Sequence, residues 1–204
     1  MIRYLRGEEL AAFPKLRDTM FRDRAAQFRD RLGWDVAVDG AGWERDAYDA
    51  PNPLYVIWEG VDGRHRGSMR FLPTTGDTMV NDHFIHLTDG VRIASPHIWE
   101  CTRFCVAPGA PPRVSAALML GGLDLGLFHG LSHAVGVFDA RMVRVYRGLG
   151  WSPALLGSAD GVSVGLWAFD PAHRAGLLRK AGVSGEVSAH WLRRAFGAPV
   201  ALAG

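Results

Sequence analysis

The sequence is poor in the features that mark several large protein classes. It has only two cysteines, Cys101 and Cys105. Four residues along a strand separate two Cα atoms by roughly 13 Å, too far for a disulfide. A disulfide-stapled scaffold is therefore excluded, and both thiols are expected reduced in the core. No HExxH or CxxC spacing gathers the eight histidines into a zinc site. There is no Walker A loop and no GxSxG elbow. A net charge of +2 lacks the concentrated basic footprint of a nucleic-acid binder. The most apolar stretch, 114–138, is broken by Asp124, two histidines and several glycines. It reads as a buried helix and a strand, so no membrane span is expected. The opening Met1-Ile2-Arg3-Tyr4-Leu5 meets charge at once, without the apolar run of a signal peptide, and a cytoplasmic location is expected.

What remains is an ordinary globular composition, 48% hydrophobic and 22% charged, in one expected domain over 1–204. The pattern predicts a strand over 1–5 and a helical region over 8–32, restarted by Pro14. Within it Leu16, Met20, Phe21, Ala25 and Phe28 form an apolar face. Residues 33–53 show no periodicity but carry Trp34, Trp43 and Tyr48, which argues for an ordered, functional loop. Strands over 54–59 and 65–72 flank the turn Val61-Asp62-Gly63-Arg64. A short helix over 82–87 precedes a central strand over 99–106. Next come a helix over 114–132, a strand over 134–138, a helix over 140–149 and strands over 151–156 and 162–169. A helix opened by Asp170-Pro171 and a last one over 188–196 complete the chain. The alternation indicates an α/β sheet with helices on both faces.

The central strand holds an anomaly. Trp99-Glu100-Cys101-Thr102-Arg103-Phe104-Cys105-Val106 is apolar enough to be buried, yet carries a carboxylate and a guanidinium. Either they form a structural ion pair or they line a polar cleft. Residues three apart face opposite sides of a strand. Glu100 and Arg103 can share one cleft only if a bulge or splayed edge re-aims one of them. Other charged and aromatic residues suit the same cleft: Arg24, Phe28 and Trp34 early in the chain, Asp46 and Asp49 in the loop, and Arg70. Acids, arginines and rings together fit a zwitterionic ligand that also bears a cation. A buried salt-bridge network tying the loop to the sheet explains the same residues.

In order and spacing, the set resembles the acyl-homoserine lactone synthase family, the autoinducer synthases of quorum sensing. The matching pieces are Arg24-x₃-Phe28-x₅-Trp34, Asp46-x-Tyr48-Asp49, Arg70-x-Leu72-Pro73-Thr74-Thr75, Trp99-Glu100-x-x-Arg103-Phe104 and Arg144-Val145-Tyr146-Arg147-Gly148-Leu149-Gly150-Trp151. The resemblance implies a single-domain three-layer α/β sandwich with a central mixed, splayed sheet, related to GCN5-type N-acetyltransferases. It implies acyl transfer from an acyl thioester, on acyl carrier protein or coenzyme A, to the amine of S-adenosylmethionine. Lactone closure and release of methylthioadenosine would follow. No metal or bound cofactor is implied, since S-adenosylmethionine is a substrate. Carried over, Arg24, Phe28, Trp34, Asp46 and Arg103 would shape the adenosylmethionine site. Asp49, Arg70 and Glu100 would complete the charged cluster, with Glu100 assisting proton removal and catalysis shared among Glu100, Asp46, Asp49, Arg70 and Arg103.

The resemblance also requires an apolar acyl pocket. Met79, Phe84, Thr102, Met119, Leu123, Val137, Phe138, Met142 and Trp167 are its candidate lining, and core packing explains them equally well. Members that favour 3-oxo chains have threonine where Phe138 or Asp139 stands here, so an acyl group without a 3-oxo substituent is expected. From Asp139 onward eight Arg/Lys face four Asp/Glu. Arg144, Arg147, Arg174, Arg179 and Lys180 are thus candidate docks for an acidic carrier protein. Two other readings compete: an N-acetyltransferase acting on another amine, and a non-catalytic module that binds adenosylmethionine. The first lacks its Arg/Gln-x-x-Gly-x-Gly/Ala turn, with Pro111-Pro112-Arg113 in its place.

Overall fold

The structure is a computed structural model that describes residues 1–197. In chain order its main elements are β1 (Ile2–Arg6), α1 (Pro14–Ala25), β2 (Leu54–Glu59), β3 (His65–Pro73), α2 (Met79–His83), β4 (Ile98–Val106), α3 (Arg113–Phe128), β5 (His133–Asp139), α4 (Met142–Leu149), β6 (Ala154–Ala159), β7 (Val162–Ala168), α5 (Arg174–Ala181) and α6 (Gly185–Phe196). The strands form one sheet in the order β1-β2-β3-β4-β5-β7-β6. Every pairing is antiparallel except β4 with β5. This is the mixed sheet that the resemblance implied.

Alternating side chains divide the sheet's two faces. On β2, Leu54 and Val56 join the core under α3, whereas Tyr55 and Ile57 pack with Leu16, Met20 and Phe21 of α1. Helices therefore cover both sides, with α1 and α2 on one and α3 to α6 on the other. The glycines of α3 allow very close packing. A Cβ on Gly121 would stand 2.7 Å from Val56 Cγ1, and one on Gly126 would stand 2.2 Å from the Phe169 ring. The sheet itself is what approaches this helix.

The parallel pair is the weak seam. Its register runs only Ile98↔His133, Trp99↔Ala134 and Glu100↔Val135. Beyond it β4 stays with β3 as far as Val106, and β5 stays with β7 as far as Asp139. The two strands thus diverge from Glu100 onward and open a wedge.

The short helix expected over 82–87 is instead Met79–His83 followed by a 3-10 turn over Ile85–Thr88, and the helix expected over 114–132 ends at Phe128. Two further shifts have local physical causes. The strand expected from Trp151 starts at Ala154, because Pro153 has no N–H to give a ladder and Trp151 is buried instead, its indole donating to Ala168 O at 2.9 Å. The last helix starts at Gly185, since the Ser184 Oγ caps it by accepting from Val187 N–H at 3.2 Å.

Candidate functional site

The site begins with a bulge in β4. Ser68 pairs with Cys105 and Arg70 with Thr102, so two steps on β3 match three on β4. The extra residue lies at Arg103, whose φ is +54°. The consequence is a change of face within one strand. Cys101 faces the α3 core and touches Met69, with Sγ to Sδ at 3.9 Å. Cys105, an even number of residues on, instead lies among Asp23, Arg24 and Glu44. Burial pushes both thiols up to about 12, so neither is a thiolate. Glu100 and Arg103 accordingly come to the same side, facing α1 and α2.

Here the charged residues meet. The Arg24 Nε donates to Glu44 Oε2 at 2.6 Å, and its two terminal nitrogens donate to Asp49 at 3.1 and 3.0 Å. Arg70 donates to Asp49 Oδ1 at 2.8 Å, to Asp46 Oδ2 at 2.9 Å and to Thr102 Oγ1 at 3.0 Å. Arg103 donates from Nε and Nη2 to Glu44 Oε1 at 3.1 and 2.8 Å, and Nη2 also lies 2.7 Å from Asp46 Oδ2. Three guanidiniums and three carboxylates balance one another. Burial alone would raise the Asp49 carboxyl, but Arg24 and then Arg70 outweigh it and hold it well below the usual carboxylate range.

Exposure separates two roles within the cluster. The side chains of Arg24, Arg70 and Glu44 are 0% exposed, whereas Asp46 is 21% and Arg103 8% exposed. Arg24, Arg70 and Glu44 hold other groups in place, and Asp46, with Asp49 at 9% and Arg103 at 8%, is what the cluster offers to a ligand. Asp46 and Asp49 are fixed locally as well. Asp46 caps a short turn over Ala47–Asp49, and Asp49 accepts from the Asp46 N–H in return.

Beside Arg103 stands an aromatic shelf. Phe28 and Trp34 stack at 5.1 Å with planes 5° apart, and the Arg103 guanidinium lies over Phe28 at 5.4 Å. Phe28 is buried, while Trp34 is 40% exposed and presents its other face. A wide helical turn over Ala26–Arg31 sets this geometry, with Leu32 N–H donating to Gln27 O five residues back. The sequence pattern read that segment as plain helix.

Glu100 sits where β4 and β5 part. Its carboxylate accepts from Val80 N–H at 2.6 Å and Met79 N–H at 3.0 Å, at the start of α2. Desolvation raises its pKa to about 7, and the two amides and Arg70 only partly offset that. A carboxyl poised there can take and return a proton at neutral pH. Among the described residues, no three His, Cys, Asp or Glu are placed to hold a metal ion, and no helix is long and apolar enough to cross a membrane.

The candidate acyl-lining residues divide. Met119, Leu123, Phe138 and Trp167 lie in the core under α3, with Met142 packed against it. Val137 and Phe84 belong to a separate cluster on the opposite face, with Val80, Leu87, Val135 and Val164. Met79 touches Arg103, and Thr102 accepts from Arg70. The docking candidates divide too: Arg144, Arg147 and Arg179 are exposed, Lys180 donates to Gly148 O, and Arg174 is committed to the buried Asp124 at 2.7 Å. A cavity of about 500 Å³ borders the charged cluster, lined by Asp46, Asp49 and Tyr55 together with Phe21, Trp43 and Arg45.

Sequence reasoning missed Glu44, which joins Arg24 to Arg103, and Tyr55, whose hydroxyl donates to Asp49 at 2.5 Å. Glu44 carried one signal: it stands two residues before Asp46 in a loop already singled out.

Three comparisons agree with this architecture. The profile of the autoinducer synthase family matches residues 9–165. An acyl-homoserine-lactone synthase of Rhizobium etli is 45% identical over 178 residues, covering 82% of this chain and 84% of its own. Among solved structures, the coenzyme A-dependent acyl-homoserine lactone synthase MesI superposes with a TM-score of 0.79 at 27% identity, covering 92% of this chain and 98% of its own. A Lactobacillus plantarum structure described as an N-acetyltransferase shares the fold alone, with a TM-score of 0.52 at 15% identity over 81% of this chain and 95% of its own.

Proposed function

The chain belongs to the autoinducer synthase family and is an acyl-homoserine-lactone synthase, and we propose how its own residues carry the reaction. S-adenosylmethionine lies against the shelf of Phe28 and Trp34, with its adenine on the exposed face of Trp34. Asp46, the most accessible carboxylate of the cluster, takes its ammonium, and Arg103, the one guanidinium of the cluster with any exposure, takes its carboxylate. Arg24, Arg70, Asp49 and the buried Glu44 keep those two groups in position. The acyl thioester enters the wedge between β4 and β5.

The amine must be neutral before it can attack, because an ammonium has no lone pair. Glu100 removes the proton through a water, since both carboxylate oxygens already accept a backbone N–H and keep lone pairs free. Backbone N–H groups of β4 beyond Glu100, unpaired with β5, steady the oxyanion. Collapse forms the amide and expels the thiolate, which takes up a proton. The substrate's carboxylate then attacks the carbon beside the sulfonium. That C–S bond breaks, methylthioadenosine leaves and the lactone closes. Proximity suffices for this second step, as the sulfonium is already a good leaving group. No step calls for a metal or a bound cofactor, and both substrates place the enzyme in the cytoplasm.

For the donor we favour acyl carrier protein, an acidic partner, docking on the exposed Arg144, Arg147 and Arg179. Coenzyme A is the second reading, favoured by the likeness to MesI. The observation that carries the mechanism is the buried Glu100 carboxyl, held by two backbone amides at the point where β4 leaves β5. Methylthioadenosine should appear only when adenosylmethionine and an acyl thioester are both present. Release without the thioester, or none with any acyl donor, would overturn it.

A further inference from the structure

Among the described residues, two buried side-chain nitrogens have no hydrogen-bond partner, Arg17 Nε and His129 Nε2. His129 packs among the rings of Trp99, Phe128 and Phe196. Arg17, on α1, instead lines the cavity of about 500 Å³ beside the charged cluster. Its guanidinium lies over the Trp43 ring at 5.1 Å and forms no ion pair among the described residues. Leaving a buried donor of a charged group unpaired is costly, and in a native fold such a donor calls for a partner.

The charges around the cavity fix the sign of that partner. Three carboxylates border it, and each already has an arginine. Asp39 accepts from Arg45 at 3.0 Å, Asp46 from Arg70 at 2.9 Å and Asp49 from Arg24 at 3.0 Å. Arg17 is the one charged residue of the lining without a counter-ion. Much of the remaining wall is apolar. Phe21 stacks on Trp43 at 5.5 Å, and Leu10 and Val38 also line the space. The Trp43 ring is held in place, its indole donating to Asp18 at 2.9 Å. A cavity of this volume suits a small molecule. Phe28, Trp34 and Arg103, the proposed contacts of S-adenosylmethionine, are not part of its lining.

We infer that this cavity is a second ligand site, which takes a small monocarboxylate. The carboxylate pairs with the Arg17 guanidinium, and the apolar body lies against Phe21, Trp43 and Val38. One unmatched positive charge suits one negative charge. A phosphate dianion would bring a second negative charge toward Asp39, Asp46 and Asp49, so it fits less well. The site goes beyond the synthase reaction, none of whose proposed contacts involves Arg17.

The test titrates phenylacetate, phenylacetamide and phenyl phosphate into the full chain, followed by NMR. Phenylacetate should saturate with a Kd of about 1 mM or tighter and shift the amide signals of Arg17, Val38 and Trp43. Phenylacetamide has the same shape without the charge and should bind about tenfold more weakly. Arg17→Gln should weaken phenylacetate binding by the same factor. Phenyl phosphate should bind no more tightly than phenylacetate. Phenylacetate should still bind when S-adenosylmethionine is saturating. No saturation below about 10 mM, equal affinity for acid and amide, or tighter binding of phenyl phosphate overturns the inference. So does an Arg17→Gln protein that melts and binds like wild type. If that variant melts early, the acid-to-amide ratio in wild type decides alone. Complete displacement by S-adenosylmethionine would make the cavity part of the substrate site and also overturns the inference. The readout is binding rather than turnover, so this inference and the synthase reading fail independently.

Discussion

Replacing Glu100 by Gln isolates the proposed base with little change of shape. The carboxyl titrates near 7 in the fold against an ordinary value of 4.5. Because the folded pKa is raised, the ionised form opposes folding. That cost is absent below about pH 4.5 and complete above about pH 7. Linkage puts the change between pH 5 and pH 8.5 at about 2–3 kcal/mol. Gln carries no charge, so its stability relative to wild type should improve by about that amount over the same range, as read by urea denaturation. One amide N–H, of Val80 or Met79, then faces an NH₂ group, which costs about 1 kcal/mol at every pH. Activity should move the other way. Wild-type kcat/KM for methylthioadenosine release should rise with pH through about 7. In Glu100→Gln it should fall about 10²–10⁴-fold. The limb left behind should be that of the substrate's own amine, near the ordinary α-amino value of about 8. A variant within tenfold of wild type, or one that keeps the limb near 7, would show that another group takes the proton.

Glu44→Ala should strand Arg24 and Arg103 without a shared acceptor and destabilise the fold by about 3–5 kcal/mol in urea. A loss under about 1 kcal/mol would mean that water or Asp46 replaces it. Trp34→Ala should raise the KM for S-adenosylmethionine about tenfold with little change in melting temperature, because Trp34 is 40% exposed. An unchanged KM would move the adenine elsewhere. With carrier-bound donors, turnover should weaken steeply as salt rises, and Arg144→Glu with Arg147→Glu should flatten that dependence. A flat wild-type response points to coenzyme A or to another face.

An α/β sheet, the order of helices and strands, and the family were all legible in the amino-acid sequence. Those follow from periodicity, turn chemistry and an ordered set of charged and aromatic residues, all local in the chain. It also posed the right question about β4, since Glu100 and Arg103 can face one cleft only through a bulge. Folding supplied what no local pattern carries. It set Arg103 at a φ of +54° and so moved Cys105 away from the face of Cys101. It buried Arg24 and Arg70 completely while leaving Asp46, Asp49 and Arg103 partly at the surface of the cluster. It brought in Glu44 as the shared partner of Arg24 and Arg103. Burial and partnership arise between segments far apart in sequence. Desolvation then decides which carboxyl titrates near neutrality and which arginine can reach a ligand.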